Sequence, residues 1–444
     1  MARTEPDSPA SSRTPLPDGT IPVAIGLLIA GVASYLFLKI AKSAMGGTDE
    51  AIQPLTSLWF ATFALAPGFF LPVEQEVARA LSHRRATGHG GRPVVSRVIT
   101  LVFILAAVVI VAVVSLGPAL SAHFFAHNWV MVLALLVSFL AYAPAHVARG
   151  ISSGTGRFTS YAVVMGGDGV MRIAACAILA AFGVTAIGAY GLAFALAPLP
   201  AVLVVAAKGW LRTEDGPPAD WHEVTPNLGW LLLGSIFAAG LVNAGPLAAT
   251  ILREPNEKAL VTQFGWGVLL ARVPLFMFQA VQAALLPRLA RLAARDEIAE
   301  FRSGLTRLLK VVLAVAVTGT IGAYLLGPFV IDKFYGATLS KKTMAMLALG
   351  SALYMFALAL AQAVIALRGH ALVALGWGIG MVTLVLVTWL SSDNLFRRIE
   401  YGLVASSAAA LVAFSLALRS LLATGRHPSG AHVIEAITDM PFES

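Results

Sequence analysis

Apolar stretches of about twenty residues, separated by short polar segments, recur along the whole chain. Crossing the ~30 Å of bilayer hydrocarbon takes about 20 helical residues at ~1.5 Å each. Twelve stretches meet that length: 21–43, 52–83, 97–122, 129–150, 158–183, 186–208, 227–250, 258–290, 304–331, 343–368, 371–391 and 401–423. The pattern predicts an all-α integral membrane protein of about twelve transmembrane helices. Spans 52–83 and 258–290 exceed the bilayer thickness. Their ends, around Arg79–Arg85 and Arg288–Arg295, are expected to project into water as amphipathic turns.

Composition agrees with this reading. The 444 residues are 58% hydrophobic and 12% charged, against about 25% charged in soluble domains. Every loop is short. No soluble catalytic or nucleotide-binding domain fits, and no G-x-x-x-x-G-K-[ST] phosphate loop occurs. The single cysteine, Cys176, forbids an intrachain disulfide and argues against a cysteine metal site. No cofactor, metal or catalytic residue is expected. The tails, 1–19 and 425–444, read as disordered cytoplasmic segments.

A net charge of +8 could suggest nucleic acid, but topology accounts for it better. Lys39, Lys42, Arg253, Lys258, Lys333, Lys341, Lys342, Arg397 and Arg398 fall on the side away from the N-terminus, and Arg172 and Arg272 in mid-span. The rest of the 31 Lys and Arg lie on the N-terminal side. The positive-inside rule then places both termini in the cytoplasm.

The chain repeats. Residues 97–125 align without gaps on 307–335, pairing Arg97, Leu116, Gly117, Pro118 and Phe124 with Arg307, Leu326, Gly327, Pro328 and Phe334. The third span thus corresponds to the ninth. Each half holds six helices and enters the membrane the same way, as a parallel repeat. The expected division is a lobe over 20–208, a Pro/Gly-rich linker over 209–225 and a second lobe over 226–424.

Charges at mid-bilayer cost at least ~2.5–3.5 kcal/mol, so each is a functional candidate. Arg272 falls at the midplane, with Gln279 and Gln282 on its helical face. They form either a stripe for an anionic group or a buried Arg paired with a distant carboxylate. Asp168 and Arg172, spaced i,i+4, form either a helix salt bridge or a site where an anion or proton competes. Glu74, Glu76 and Arg79 follow Pro72 and fit a solvated helix end, an inner gate or a protonatable coupling site. Lys39 and Lys42 read as snorkelling to the interface. His146 reads as packing rather than proton relay.

The stretch Ala148-Arg149-Gly150-Ile151-Ser152-Ser153-Gly154-Thr155-Gly156-Arg157-Phe158-Thr159-Ser160-Tyr161-Ala162, followed by Asp168 and Arg172, resembles the loop between helices four and five of polysaccharide-type flippases. These belong to the multidrug/oligosaccharidyl-lipid/polysaccharide (MOP) exporter superfamily. Phe70–Ala80 is similar to the second-helix end of such proteins. The resemblance implies two six-helix lobes in a V, as in MATE-like transporters. It implies a multi-pass protein of the bacterial plasma membrane that carries a polyprenyl-linked glycan outward for cell-envelope assembly. The expected partners are the glycan lipid, membrane lipid and glycan-synthesis enzymes, with no nucleic acid, and the expected state is a monomer. Arg272 and Arg172, with Gln279 and Gln282, would bind the substrate phosphate. Glu74, Glu76, Arg79, Asp168 and Arg149 would gate or couple, driven by membrane potential, H+ or Na+.

Three alternatives remain at this level. A drug or small-solute antiporter on the same fold would favour acidic cavity residues. A polyprenyl-sugar-dependent glycosyltransferase would use Asp49 and Glu50, and replacing those residues would leave a flippase almost untouched. A transporter-fold scaffold that moves nothing is the third.

Overall fold

The computed structural model describes residues 20–225, 228–254, 256–275, 278, 289, 292–293 and 297–424. Helices run in the order α1 Thr20–Ala44, α2 Asp49–Ala86, α3 Arg92–Phe124, α4 Trp129–Gly154, α5 Phe158–Ala181, α6 Ile187–Leu196, α7 Pro198–Ala207 and α8 Trp221–Val224. They continue as α9 Leu228–Leu252, α10 Lys258–Ala271, α11 Ile298–Tyr335, α12 Lys341–Ala366, α13 His370–Leu390 and α14 Leu395–Thr424. Among the described residues, eleven helical segments are long and apolar enough to cross a membrane, with α6 and α7 together forming one of them. Apolar side chains such as Phe103, Val111, Phe329 and Leu390 stand exposed on the outer faces, as a lipid-facing surface requires.

The same pairwise scheme orders both halves. α1 lies on α5 and α3 on α4, as α9 lies on α13 and α11 on α12. The matched glycines do the same work in each half. A Cβ at Gly117 would meet Trp129 of α4 at 3.1 Å, and one at Gly327 would meet Met344 of α12 at 2.9 Å. Pro118 and Pro328 follow inside their helices.

One expected span departs from its pattern. A continuous helix over 258–290 is not observed, because α10 ends at Ala271 and Arg272 is its C-cap. Pro274 supplies the reason. It has no N–H for the Leu270 carbonyl, and its ring crowds that turn. Gln279 and Gln282 lie outside the described residues, as do Arg288, Arg291 and Arg295 and both tails.

The inner end of α2 also departs from expectation. Arg84 does not project into water; it is buried. It donates to Glu223 (2.9 Å), Gly90 O (3.0 Å) and Pro217 O (2.8 Å), which straps the linker onto the N-terminal lobe. Arg92–Asp215 (2.9 Å) and the Arg97 guanidinium over the Trp221 ring add to the strap. Hydrogen bonding to Arg84 holds the Glu223 carboxyl below the usual carboxylate range.

Candidate functional site

The Arg149-Gly150-x-x-x-Gly154 stretch is the joint between α4 and α2. A Cβ at Gly150 would lie 2.8 Å from Glu74 O, and one at Gly154 would lie 2.9 Å from Ala78 Cα. That close approach brings buried polar groups together. Arg149 donates to Glu74 through Nη2 (2.7 Å) and Nε (3.0 Å), Tyr161 donates its hydroxyl (3.1 Å), and His146 Nδ1 lies 2.8 Å away. The loop after the joint holds Gly156 at φ 74°, a turn that favours glycine. Arg157 beyond it donates to the Trp210 and Arg212 carbonyls of the linker.

A second network lies deeper in the same lobe. Arg172, 1% exposed, donates to Asp168 (2.6 Å), Tyr142 Oη (2.9 Å) and Ser34 Oγ (3.3 Å). Phe194 and Phe63 flank its guanidinium at 4.9 and 5.6 Å. Both networks neutralise a buried cation with a carboxylate and hydroxyl donors, as burial of charge requires. Glu76 is buried and held by Arg79 Nε at 2.8 Å, while the rest of Arg79 reaches the Glu223 carbonyl.

The C-terminal lobe treats its mid-membrane cation differently. Arg272 is 5% exposed and has no carboxylate partner among the described residues. It donates to Asn243 Oδ1 (2.9 Å) and lies 5.5 Å over the Phe60 ring. Asn243 in turn donates to the Phe63 carbonyl of α2 at 3.0 Å. Pro67 leaves that carbonyl without its helical N–H partner, so a residue of the opposite lobe satisfies it.

Arg272 and Asn243 stand on the wall of a cavity of about 320 Å³ between the lobes. The N-terminal lobe contributes Ser34, Trp59, Phe63 and Gln75, and the C-terminal lobe Trp230, Tyr354, Gln362, His370 and Trp377. Among the described residues, no Asp or Glu is in that lining. Trp59 is 3% exposed and its Nε1 has no hydrogen-bond partner among the described residues. From Arg272 the cavity extends towards Gln75, Trp230 and His370, on the side of the termini.

On the opposite side the lobes are locked. Asp49 accepts from Lys42 (2.7 Å), Trp266 Nε1 (3.0 Å) and Gln263 (3.2 Å), and Lys42 also donates to the Tyr335 carbonyl. Trp266 stacks on Tyr335 at 4.3 Å, and Tyr35 donates across the lobes to Leu269 O at 2.7 Å. Lys42 is therefore buried in the lock rather than snorkelling. Asp49 is a fastener between lobes, so a flippase would notice its loss; Glu50 is more exposed, 3.7 Å from Lys258.

The structure thus gathers the candidates into separate places. Arg272 is on the cavity wall. Arg172 is not; it sits behind Ser34 and Phe63, which are. Glu74 and Arg149 share one buried cluster with His146, which is more than packing. The aromatic and amide lining of the cavity went unnoticed in the sequence, because Trp59 and Trp377 there look like ordinary span residues.

No family model and no curated protein sequence matches the chain. Solved structures do. A mutant of the Vibrio cholerae MATE transporter VcmN superposes with TM-score 0.70 at 15% identity, covering 92% of this chain and 96% of that one. The inward-facing conformation of a multidrug resistance MATE family transporter of the MOP superfamily gives TM-score 0.67 at 14% identity, over 92% and 99%. The outward-facing conformation of such a transporter gives 0.66 at 14%, over 92% and 96%. The chain has the all-helical fold of MATE transporters.

Proposed function

We propose that the chain is an alternating-access exporter of anionic amphiphiles, and that its substrate is a polyprenyl phosphate- or pyrophosphate-linked sugar. One observation carries the reading: among the described residues, a buried guanidinium without a carboxylate partner stands on the wall of an inter-lobe cavity that no acidic side chain lines. An Arg so placed offers charge-assisted hydrogen bonds to a phosphate. The aromatic and amide groups around it suit a sugar headgroup. With the termini in the cytoplasm, the cavity faces the cytoplasm and the lock faces outward. An inside-negative potential then favours export by ~2.3 kcal/mol per charge per 100 mV. Glu74 and Asp168 are each engaged by an Arg, so potential alone is the simplest drive.

The second reading is a multidrug exporter. Two of the fold neighbours are multidrug resistance MATE family transporters, and an aromatic cavity wall can hold organic cations. Arg272 opposes it. The two readings separate in proteoliposomes given a labelled polyprenyl-pyrophosphate sugar or a cationic dye. Lipid-linked sugar that moves with wild type and stalls with Arg272→Ala supports the first. Dye transport that Arg272→Ala leaves intact or improves, with no lipid movement, replaces it with the second.

A further inference from the structure

On the membrane-facing side of the lobe junction, α1 and α11 enclose an apolar groove of about 680 Å³. Leu28, Gly31, Val32 and Leu36 of α1 form one wall and lead to Lys39 at the locked end. Leu270, Val273 and Phe334 form the other. From Ala24 to Lys39 the groove follows sixteen residues of α1, a rise of about 22 Å. Lys39 is exposed, makes no side-chain hydrogen bond or ion pair among the described residues, and lies 5.2 Å over the Phe334 ring. Its neighbour Lys42, one turn on, is consumed by the lock.

The groove and the cavity lie on neighbouring faces of the same segments. Ser34 faces the cavity and Tyr35 the groove; Arg272 and Leu275 face the cavity, Leu270 and Val273 the groove. A lipid whose phosphate rests on Arg272 would therefore place its chain beside Val273 and α1.

We infer that this groove holds the polyprenyl chain of the transported lipid, and that Lys39 receives its phosphate on the far side of the membrane. The inference rests on the anionic-lipid reading above. The bilayer is as apolar as the groove, so burial alone does not favour the groove over bulk lipid. Selectivity has to come from the cation at the groove's end and from one chain fitting between two helices. Lys39 gives the phosphate a landing point once the headgroup leaves Arg272.

The test uses the full chain in phosphatidylcholine nanodiscs with a polyprenyl phosphate carrying a diazirine in its chain. Adducts are mapped by peptide mass spectrometry. In parallel, binding of a short-chain prenyl-pyrophosphate sugar is measured on the same protein. Adducts should concentrate on residues 24–39. Lys39→Gln should lower them about fivefold, the worth of one surface cation to an anionic lipid, and Lys39→Arg should restore them. Gly31→Trp should block them at unchanged melting temperature, because no atom lies within 4 Å of a Cβ there. Short-chain binding should survive every one of these changes. Adducts spread equally over lipid-facing residues such as Phe103 and Val382, or displaced as well by phosphatidylglycerol as by unlabelled polyprenyl phosphate, would overturn the groove alone. So would indifference to Lys39→Gln. Absence of short-chain binding to wild type would instead remove the functional reading, and the groove with it.

Discussion

The two lobes bury cations to a similar extent in opposite ways. In the N-terminal lobe, Arg149 and Arg172 each hold a carboxylate within 2.7 Å and a tyrosine hydroxyl joins each network, while Arg172 Nε and Asp168 Oδ1 stay buried without a partner among the described residues. In the C-terminal lobe, Arg272 has one amide oxygen and an aromatic face. The paired cations are neutralised within the protein; Arg272, without a carboxylate among the described residues, stands on a cavity wall where a ligand can reach it. An intramembrane charge therefore becomes informative about function only once its partners are known.

The largest expected effect comes from unbalancing the N-terminal lobe. Glu74→Ala leaves Arg149 buried with no counter-charge, which should cost about 3–5 kcal/mol and lower the melting temperature sharply. The sharper form of the comparison sets Arg172→Met beside Arg272→Met in the same thermal assay. The first strands Asp168 and should destabilise by a similar amount. The second removes a desolvated cation without a carboxylate partner, and should leave the melting temperature unchanged or raise it. Equal losses in both would dissolve the distinction between the lobes.

A middle-sized effect tests whether the lobes move. Asp49→Asn weakens hydrogen bonds to a charged group, each worth about 1.5–3 kcal/mol. A cysteine at Ser34, introduced with Cys176→Ala, should then react about tenfold faster with an impermeant maleimide added on the side of the lock. An unchanged rate would mean that Asp49 does not hold the lobes together.

The smallest effect concerns the strap. Glu223 is partly exposed, so its ion pair with Arg84 contributes little. Its carboxyl is depressed, so its support exists above the unfolded value of ~4.3 and fades as pH falls through the lower folded value. Proteolysis of residues 209–220 should stay flat from pH 8 to pH 5 and rise below about pH 4. Glu223→Gln should remove that rise.

Much of the architecture was legible because the bilayer constrains it. Span length, the matched Gly117-Pro118 and Gly327-Pro328, and the exposed apolar faces all follow from satisfying backbone groups inside lipid. Arg272 stood out for the same reason: a charge fourteen residues from Lys258 has no polar surface nearby. What stayed hidden depends on partners distant in the chain. Nothing local to Lys42 or Asp49 announces that Trp266, Gln263 and Tyr335 close over them. Arg84 looked solvated because all but one of its acceptors, namely Pro217, Pro218 and Glu223, lie more than 130 residues away. Pro274 was readable as a helix stop, but hydrophobicity carried the span past it.

Among the described buried arginines, Arg272 is the one that lines a cavity and is open to an anion. Calorimetric titration of a short-chain prenyl-pyrophosphate sugar into the purified chain tests it, with Arg272→Gln beside Lys39→Gln as a control away from the cavity. The account predicts that Arg272→Gln weakens binding about ten- to a hundredfold, the worth of one or two charge-assisted hydrogen bonds, while the control binds as wild type does. Binding that is indifferent to Arg272→Gln would contradict it.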